Sequence, residues 1–557
     1  MLLNTLDLDT LASTACDFTV IGAGPLGLNT AFALADRGLR VLVLESGDIK
    51  ESAENRDLSA DELLTPDTHH APEITVTRRL GGASNLWGGR CVPCDPIDFQ
   101  ARPWLDLPPW PVTKADLDPY LGPACAALGA GEAIFSDPVP GLPLCSDAFD
   151  TDRLERWSDT PRAQVLHRDR LETDPRVLIA TGVSVTGLNH DADGKITALS
   201  VWMNKATGFL PVRQVVLAAG GNASTRLLLN VQADTPALFG GPDGPLGRYY
   251  MGHVNGQIAD IIVTDDALHN ALDFYVDGHG SYVRRRITPT DATQKAHRLA
   301  NVAFWPVVPE IALAAHRSGP LSSVFLGLAL PGLGARLIAA PIRLKHMGPK
   351  PWRRGPHLRN LLRDPFRAAA FVPWFLWHRR YAKHRVPGFF LKNPGRRYGL
   401  EFHSEHLPAP DSRMTLSKER DHTGLRRLRI DFRFAPRDVD SVLKAHTALE
   451  HWLEETGLAQ LEYRFAPADR AAGVLSEARH GNHQEGTIRM AHTPHEGVVD
   501  RWGTCFDLRN LHVVSTAILP TSSQANPTLT ALQLGLRLAD RLAQNSVPFA
   551  PREAADA

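Results

Sequence analysis

Apolar and polar positions along the chain separate regions of different period. Near the N-terminus a short unbroken apolar run, Phe18 to Ile21, is followed at once by Gly22, Gly24 and Gly27. A helix-compatible stretch then reaches Asp36 and stops at Gly38, and a second apolar run, Val41 to Leu44, ends on Glu45. That order predicts a buried strand, a glycine turn, a helix and a second strand. From Arg176 to Gly221 the runs are short and β-branched and are broken at Asp193-Gly194 and at Ala206 to Gly208, the pattern of a small antiparallel meander. It closes on a buried strand from Val215, a second glycine turn at Gly220-Gly221 and a helix whose cap is expected near Ser224 or Thr225. Far downstream, Asn526-Pro527-Thr528 opens a helix with an inward stripe of Leu529, Leu532 and Leu536.

The first turn has the residues a dinucleotide needs. Gly22 permits the tight turn, Gly24 lets the backbone approach a pyrophosphate, and Gly27 lets helix and strand pack closely. The helix N–H groups then face the phosphates. Glu45, eighteen residues past Gly27, sits where a carboxylate accepts hydrogen bonds from a ribose diol. The motif does not decide between NAD and FAD. A further glycine-rich stretch, Arg78 to Arg90, holds Gly81, Gly82, Ser84, Asn85, Trp87, Gly88 and Gly89, and suits a loop pressed against a flat ligand.

Composition narrows the picture. A chain of 557 residues exceeds one ordinary core and implies two or more domains, interleaved or consecutive. A net charge of −1 argues against a chain built as a whole for nucleic acid. Six cysteines are too few and too scattered for a disulfide scaffold, so reduced thiols and a cytoplasmic location are expected; Cys91 and Cys94 form an unaccompanied CxxC that reads as two loop thiols. The acidic N-terminal stretch is unlike a signal peptide, and no apolar run is long enough to span a bilayer.

Several motifs, in order, resemble one family. The Gly81 to Trp87 loop is similar to the GGSSxxW loop of the glucose-methanol-choline (GMC) oxidoreductases, and Trp110-Pro111 with Asp116 to Tyr120 resembles the stretch that packs under their substrate domain. Leu246 to His253, Glu405 to Ser417, His480 to Met490 (the HxxGTxRM motif, with Ala491 in place of the last glycine), Gly497 to Asp500, Asn510 to Pro520 and Asn526 to Thr530 continue the likeness. The resemblance implies an α/β protein with a Rossmann-like FAD-binding domain and an interleaved α+β substrate domain built on an antiparallel sheet. The FAD-binding parts would be 1–125, 166–255 and 476–557, with a connecting segment at 126–165 and a substrate domain at 256–475. FAD would be held by Gly22, Gly24, Gly27, Glu45, Gly82, Ser84, Asn85, Trp87, Val183, Ala219, Pro527 and Thr528. No histidine or cysteine lies between Gly81 and Trp87 to form a covalent link there.

By the same resemblance His483 holds the place of the base that takes the hydroxyl proton as hydride leaves carbon, and Asn526 holds the second active-site position. An amide donates to the substrate oxygen but cannot take its proton, which leaves His483 as the base. Its ordinary pKa of about 6.5 keeps it mostly neutral near pH 7. The expected substrate is a sugar, glycoside or polyol hydroxyl; the alternatives are a lipophilic alcohol at a membrane surface and a flavoprotein of this fold that performs no dehydrogenation. The sequence does not specify the electron acceptor. His480, His483, His492 and His495 form two HxxH pairs, but His483 already belongs to a fuller pattern, so no metal is expected.

One region fits none of this. Residues 336–397 carry sixteen Lys and Arg against the single acid Asp364, interleaved with Trp352, Phe366, Phe371, Trp374, Phe375, Trp377, Tyr381, Phe389 and Phe390. Such a segment lies in a bilayer interface or forms a lid whose aromatics face the core. It has no nucleic-acid module.

Overall fold

A computed structural model describes residues 2–3, 7–142, 148–332, 334, 343, 346–348, 351–393 and 395–545. Cys145, Arg336, Lys345 and Lys350 lie outside the described residues.

The predicted strand, turn, helix and strand are present as Phe18–Ile21, Pro25–Ala35 and Val41–Glu45. Both strands are buried at every position, as expected for the middle of a parallel sheet covered on both faces. That sheet has six strands in the order Leu2–Leu3, Val177–Thr181, Val41–Glu45, Phe18–Ile21, Gln214–Leu217 and Leu511–Val513, all parallel. The carboxyl edge of this sheet forms part of the site described below. The C-terminal helix, Thr528–Gln544, packs on Pro25–Ala35 and on Lys114–Ala127.

Two local expectations are corrected. The run from Arg176 is not the first strand of the meander: Val177–Thr181 pairs in parallel with Val41–Glu45, and only Ser184–His190, Ile196–Met203 and Ala206–Pro211 form the antiparallel meander. The helix after the second glycine turn, Gly221–Asp234, is capped by Gly220 at φ 84°, not by Ser224 or Thr225. The Thr225 hydroxyl instead bonds back to the Gly221 carbonyl inside the first turn, a local bond that threonine makes readily.

The second core lies around an antiparallel sheet ordered Val302–Val307, Arg397–Glu405, His253–Val263 and Ala459–Tyr463, covered by the long helix Pro436–Thr456. Strand pairing crosses the domain boundaries read from the sequence. Arg413–Arg420 and Arg426–Asp431 pair with each other and with Glu62–Leu63, and their inner residues Met414, Leu428 and Ile430 share a core with Ile21, Leu44 and Val215. They therefore pack with the FAD-binding part, although they fall within 256–475. Likewise Leu154–Trp157, in the segment taken as a connector, pairs with Arg90–Cys91 on one side and Tyr282–Arg285 on the other, so one sheet draws on three of the five regions. Trp104 and Leu107 do approach the substrate-side residues Leu299 and Ala300, but the Lys114–Ala127 helix turns to the C-terminal helix, with Gln533 donating to the Leu117 carbonyl at 3.0 Å.

The basic aromatic region contains a helical hairpin, Arg354–Arg363 and Pro365–Arg380, lying on the helix Gly319–Leu328. Its aromatic side chains divide between two faces. Phe371, Phe375 and Phe389 pack together on the inner side, whereas Phe366, Trp374, Trp377 and Tyr381 are exposed. No helix among the described residues is long and apolar enough to cross a membrane.

Candidate active site

At the carboxyl edge of the parallel sheet lies a cleft of about 1440 Å³, counted out to its open mouth. Three helices begin on its wall, at Gly24, Gly220 and Pro527, and none has a side-chain cap. A helix start leaves its first N–H groups without intrahelical partners and carries partial positive charge, so three uncapped starts around one cleft make it a receptor for anionic groups. The start of the Gly221–Asp234 helix is partly served by Gln484, whose Oε1 accepts from the Asn222 N–H at 2.9 Å.

The glycines behave as their positions require. Gly22 has φ 106°, and a Cβ there would lie 2.6 Å from the Ala218 carbonyl oxygen. At Gly27 a Cβ would lie 2.0 Å from the Gly22 carbonyl oxygen, which is the close approach of helix to turn. At Gly24, by contrast, a Cβ meets nothing within 4 Å: the space it would enter belongs to the cleft. Glu45 lines the same cleft and is held rigidly, its two carboxylate oxygens accepting from the Ala23 and Gly47 N–H groups at 2.9 Å each. An elongated ligand with a diphosphate centre and a ribose diol at one end fits this donor and acceptor set, and FAD is such a ligand.

Gly22, Gly24, Glu45, Gly82, Val183, Ala219, Pro527, Thr528 and His483 all line the cleft. Gly27 stands behind it as packing. Ser84, Asn85 and Trp87, expected to touch the cofactor, are not among the residues lining the cleft, and their side chains bond within the loop and to its neighbours. The Ser84 hydroxyl donates to the Gly81 carbonyl and accepts from the Ala163 N–H; Asn85 bonds to the Leu80 and Gly82 carbonyls and to Gln164; and Trp87 donates to the Pro161 carbonyl at 2.6 Å. These bonds fix the shape of the loop that presents Gly82 and Ala83 to the cleft.

At the inner end the HxxGT segment brings His483 against His253, the first residue of the His253–Val263 strand, with Nδ1 to Nδ1 at 2.8 Å. The hydrogen-bond directions follow from the neighbours. The Asn526 amide donates to His483 Nε2 at 3.4 Å, so the proton of His483 sits on Nδ1 and is donated to His253 Nδ1; His253 Nε2–H in turn donates to the Ala525 carbonyl at 3.1 Å. His403 donates through Nδ1 to the Gln524 carbonyl at 2.7 Å. The result is a one-way chain that leaves the His483 Nε2 lone pair facing Asn526. Burial, and then the Arg90 guanidinium, push the His483 pKa down to about 3, and burial lowers His253 and His480 well below the ordinary histidine value. The ordinary value of about 6.5 therefore does not describe the His483 imidazole.

The two HxxH pairs do not meet: His480 is buried beside His483, while His492 and His495 are exposed. Instead the imidazoles of His253, His403, His480 and His483 place one nitrogen each within 4.8 Å of one another. His253 and His403 are stacked, with centroids 4.1 Å apart and planes 24° apart. Imidazole lone pairs lie in the ring plane, so rings placed face to face do not converge on a common ion. Within the cluster His483 and His253 are hydrogen-bonded to each other, and His403 and His480 meet them by ring contact.

Sequence reasoning missed His253, His403, Arg90 and Glu485. His253 stood at the end of a quoted motif, and Arg90 at the end of the glycine loop, yet nothing in local pattern marks a strand residue as facing a site built by a segment 230 positions away. Glu485 is fully buried, neither of its oxygens has a hydrogen-bond partner among the described residues, and Oε1 lies 3.9 Å from His253 Nδ1. Burial raises its carboxyl well above the usual range.

Comparison with known proteins agrees with this geometry. A family model described as FAD dependent oxidoreductase matches residues 17–288, and one described as GMC oxidoreductase matches residues 408–535. The chain is 24% identical to 6'''-hydroxyparomomycin C oxidase of Streptomyces lividus, over 96% of this chain and 92% of that one. It is 22% identical to 2-methyl-1,2-propanediol dehydrogenase of Mycolicibacterium austroafricanum, over 96% of each. Among solved structures, pyridoxine 4-oxidase from Mesorbium loti shares the fold at a TM-score of 0.50 and 17% identity, over 95% of this chain and 99% of that one. The motifs, the glycine-lined cleft and these matches together establish that the chain belongs to the GMC family of FAD-dependent oxidoreductases, enzymes that act on alcohol groups.

Proposed function

We propose that the protein oxidises a hydroxyl of a sugar, glycoside or polyol to a carbonyl, with His483 as the base. The observation that carries this reading is the direction of the hydrogen-bond chain, which leaves His483 Nε2 unprotonated beside the Asn526 amide at the inner end of the cleft. Bound FAD supplies the acceptor for the hydride that leaves the carbinol carbon. A substrate hydroxyl that displaces the long Asn526–His483 contact donates its proton to His483 Nε2 and receives a hydrogen bond from the Asn526 N–H so released. His253 holds the His483 ring in the tautomer this transfer needs. Glu485, which burial holds toward its neutral acid form, lies 3.9 Å from His253 Nδ1 beside the pair. The Pro527 helix start supplies fixed positive potential on the cleft wall. Polar substrates are favoured because both full-length relatives are named for polar, hydroxyl-bearing molecules.

A second reading, a lipophilic alcohol, draws on a different observation. Aromatic and cationic side chains run without a break from the hairpin to the base. Phe375 packs with Phe389 and joins the cluster of Trp157, Tyr282 and Phe274; Arg284 lies over Trp157, Phe274 and Trp305; and Trp305 packs against His403 at 6.0 Å. Anaerobic mixing of the FAD-loaded protein with polyols, glycosides and long-chain alcohols, read as flavin bleaching, separates the two. Bleaching by none of them would count against both.

A further inference from the structure

We propose that the outer face of the hairpin formed by Arg354–Arg363 and Pro365–Arg380 docks on an anionic lipid bilayer, resting in the interface without crossing it. The inference is independent of the redox chemistry, since docking is read without turnover.

Four observations carry it. First, the Arg354–Arg363 helix is inverted. Its buried positions are polar, His357 and Asn360, which bond to Ser322 and to the Ala312 and Ala314 carbonyls, while Leu358 and Leu362 face outward at 50% and 82% exposure. Second, the next helix continues that face with Phe366 at 88% exposure, Trp374, Leu376, Trp377 and, just past its end, Tyr381. The inner side of the same helix already has its core partners in Ala368, Phe371 and Phe375, so packing within the chain does not account for the outer aromatics. An exposed apolar surface this continuous marks a contact.

Third, the charge flanking this face has one sign. Arg353, Arg354, Arg359, Arg363, Arg380 and Lys383 are exposed, and none has a carboxylate partner among the described residues. The only acid, Asp364, is turned inward, where its Oδ2 accepts from the Gly319 N–H at 3.2 Å. Basic heads beside aromatic bodies match lipid phosphates above an acyl boundary. A second copy of the chain would oppose the same arginines to one another across a twofold axis, which disfavours self-association through this face. Fourth, the hairpin is firmly seated: a Cβ on Gly319 would lie 2.2 Å from the Asp364 carbonyl oxygen, so the outer face has a fixed orientation. A helix of 16 residues, with Pro373 inside it and arginines near both ends, is about 24 Å long and falls short of a span.

The test uses the full-length, FAD-loaded protein and vesicles of phosphatidylcholine with or without phosphatidylserine. Binding is expected to the anionic vesicles at low salt, with release at high salt and a blue shift in the emission of Trp374 and Trp377. Arg353→Ser, Arg359→Ser and Arg363→Ser should each weaken binding about fivefold. Phe366→Ser combined with Trp377→Ser should weaken it at unchanged salt, with flavin content and melting temperature retained. Should that double variant fold poorly, Trp377→Ser alone and the arginine variants carry the test. Equal and negligible binding to both vesicles would overturn the proposal, as would wild-type binding by the aromatic variants. A vesicle-indifferent dimer that the aromatic variants dissociate would assign the face to a second copy instead.

Discussion

The active-site end of the cleft and the outer face of the hairpin both depart from the usual sorting of side chains, in opposite directions. At the cleft's inner end, His253, His403, His480 and Glu485 are drawn into the interior; on the hairpin, Leu362, Phe366 and Trp377 are pushed into solvent. Among the buried polar groups, His253 is joined to His483 in a directed chain of hydrogen bonds and His403 donates to the Gln524 carbonyl, whereas the outer apolar groups lie mostly open to solvent. A buried polar network is costly unless its members are satisfied, and an exposed apolar face is costly unless something covers it. The first departure accounts for chemistry within the molecule; the second points outside it. Substitutions should therefore separate the two regions cleanly.

The largest effect is expected at Gly24. A valine there meets no protein atom at its Cβ but projects into the cleft, so Gly24→Val should fold and yet be purified colourless. Gly27→Val differs, because its Cβ would strike the Gly22 carbonyl and disturb the turn itself. Flavin absorbance and thermal unfolding of both variants check this. Yellow, fully loaded Gly24→Val would break the assignment of the cleft, while Phe366→Ser on the hairpin should stay yellow.

Next in size is His483→Ala. FAD should be retained, because its binding surface is built mainly by the glycine turns and Glu45, while flavin reduction by substrate should slow by about 10²- to 10⁴-fold, the usual contribution of a positioned base. Rapid anaerobic mixing measures it. His492→Ala, at an exposed position, is the control and should reduce at the wild-type rate. An unchanged rate in His483→Ala would place the base elsewhere, with His480 the nearest alternative by geometry.

The ease with which each region could be read from sequence follows the range of its interactions. The Phe18 to Glu45 unit was legible because strand, turn and helix are local and each glycine answers a local demand. The cap at Gly220 was misread because Ser and Thr are good caps in general, whereas this helix begins where a glycine at positive φ leaves its N–H groups open to the cleft. The bonds of Ser84 and Asn85 to Ala163 and Gln164 could not be read from sequence because they are non-local. His253 and Glu485 were invisible for the same reason. On the hairpin the composition was evident, but which leucines and aromatics face outward is set by packing on Gly319–Leu328.

A smaller effect is expected at His253. Phenylalanine keeps a ring but offers no acceptor, so the His483 Nδ1–H would be left buried and unpaired, a loss of about 1–3 kcal/mol that also frees the tautomer. His253→Phe should slow flavin reduction by about 10- to 100-fold without loss of FAD. His253→Asn, which still offers an oxygen acceptor, should recover part of that rate. A merely structural role would lower the melting temperature of both variants and leave their reduction rates equal.

The smallest expected effect is none at all, in the pH dependence of the wild-type reduction rate. An exposed histidine base would give a rate that rises through pH 6.5, as protonation removes the lone pair below that point. Here the groups facing His483 are the neutral His253 and His480, the Asn526 amide and, at longer range, the Arg90 cation; burial and Arg90 both disfavour the imidazolium, and the pKa falls to about 3. The sign follows directly: His483 is already neutral at pH 5 and stays so as pH rises, and its competence as a base is lost only on approach to pH 3. Between pH 6 and 8 the reduction rate should therefore change by less than about twofold. Rapid mixing across that interval is the measurement, with vesicle binding of the same samples followed in parallel. A step near pH 6.5 that disappears in His483→Ala would mean that water reaches the base in the working enzyme, and the contrast between a closed site and an open hairpin would then fail at its first term.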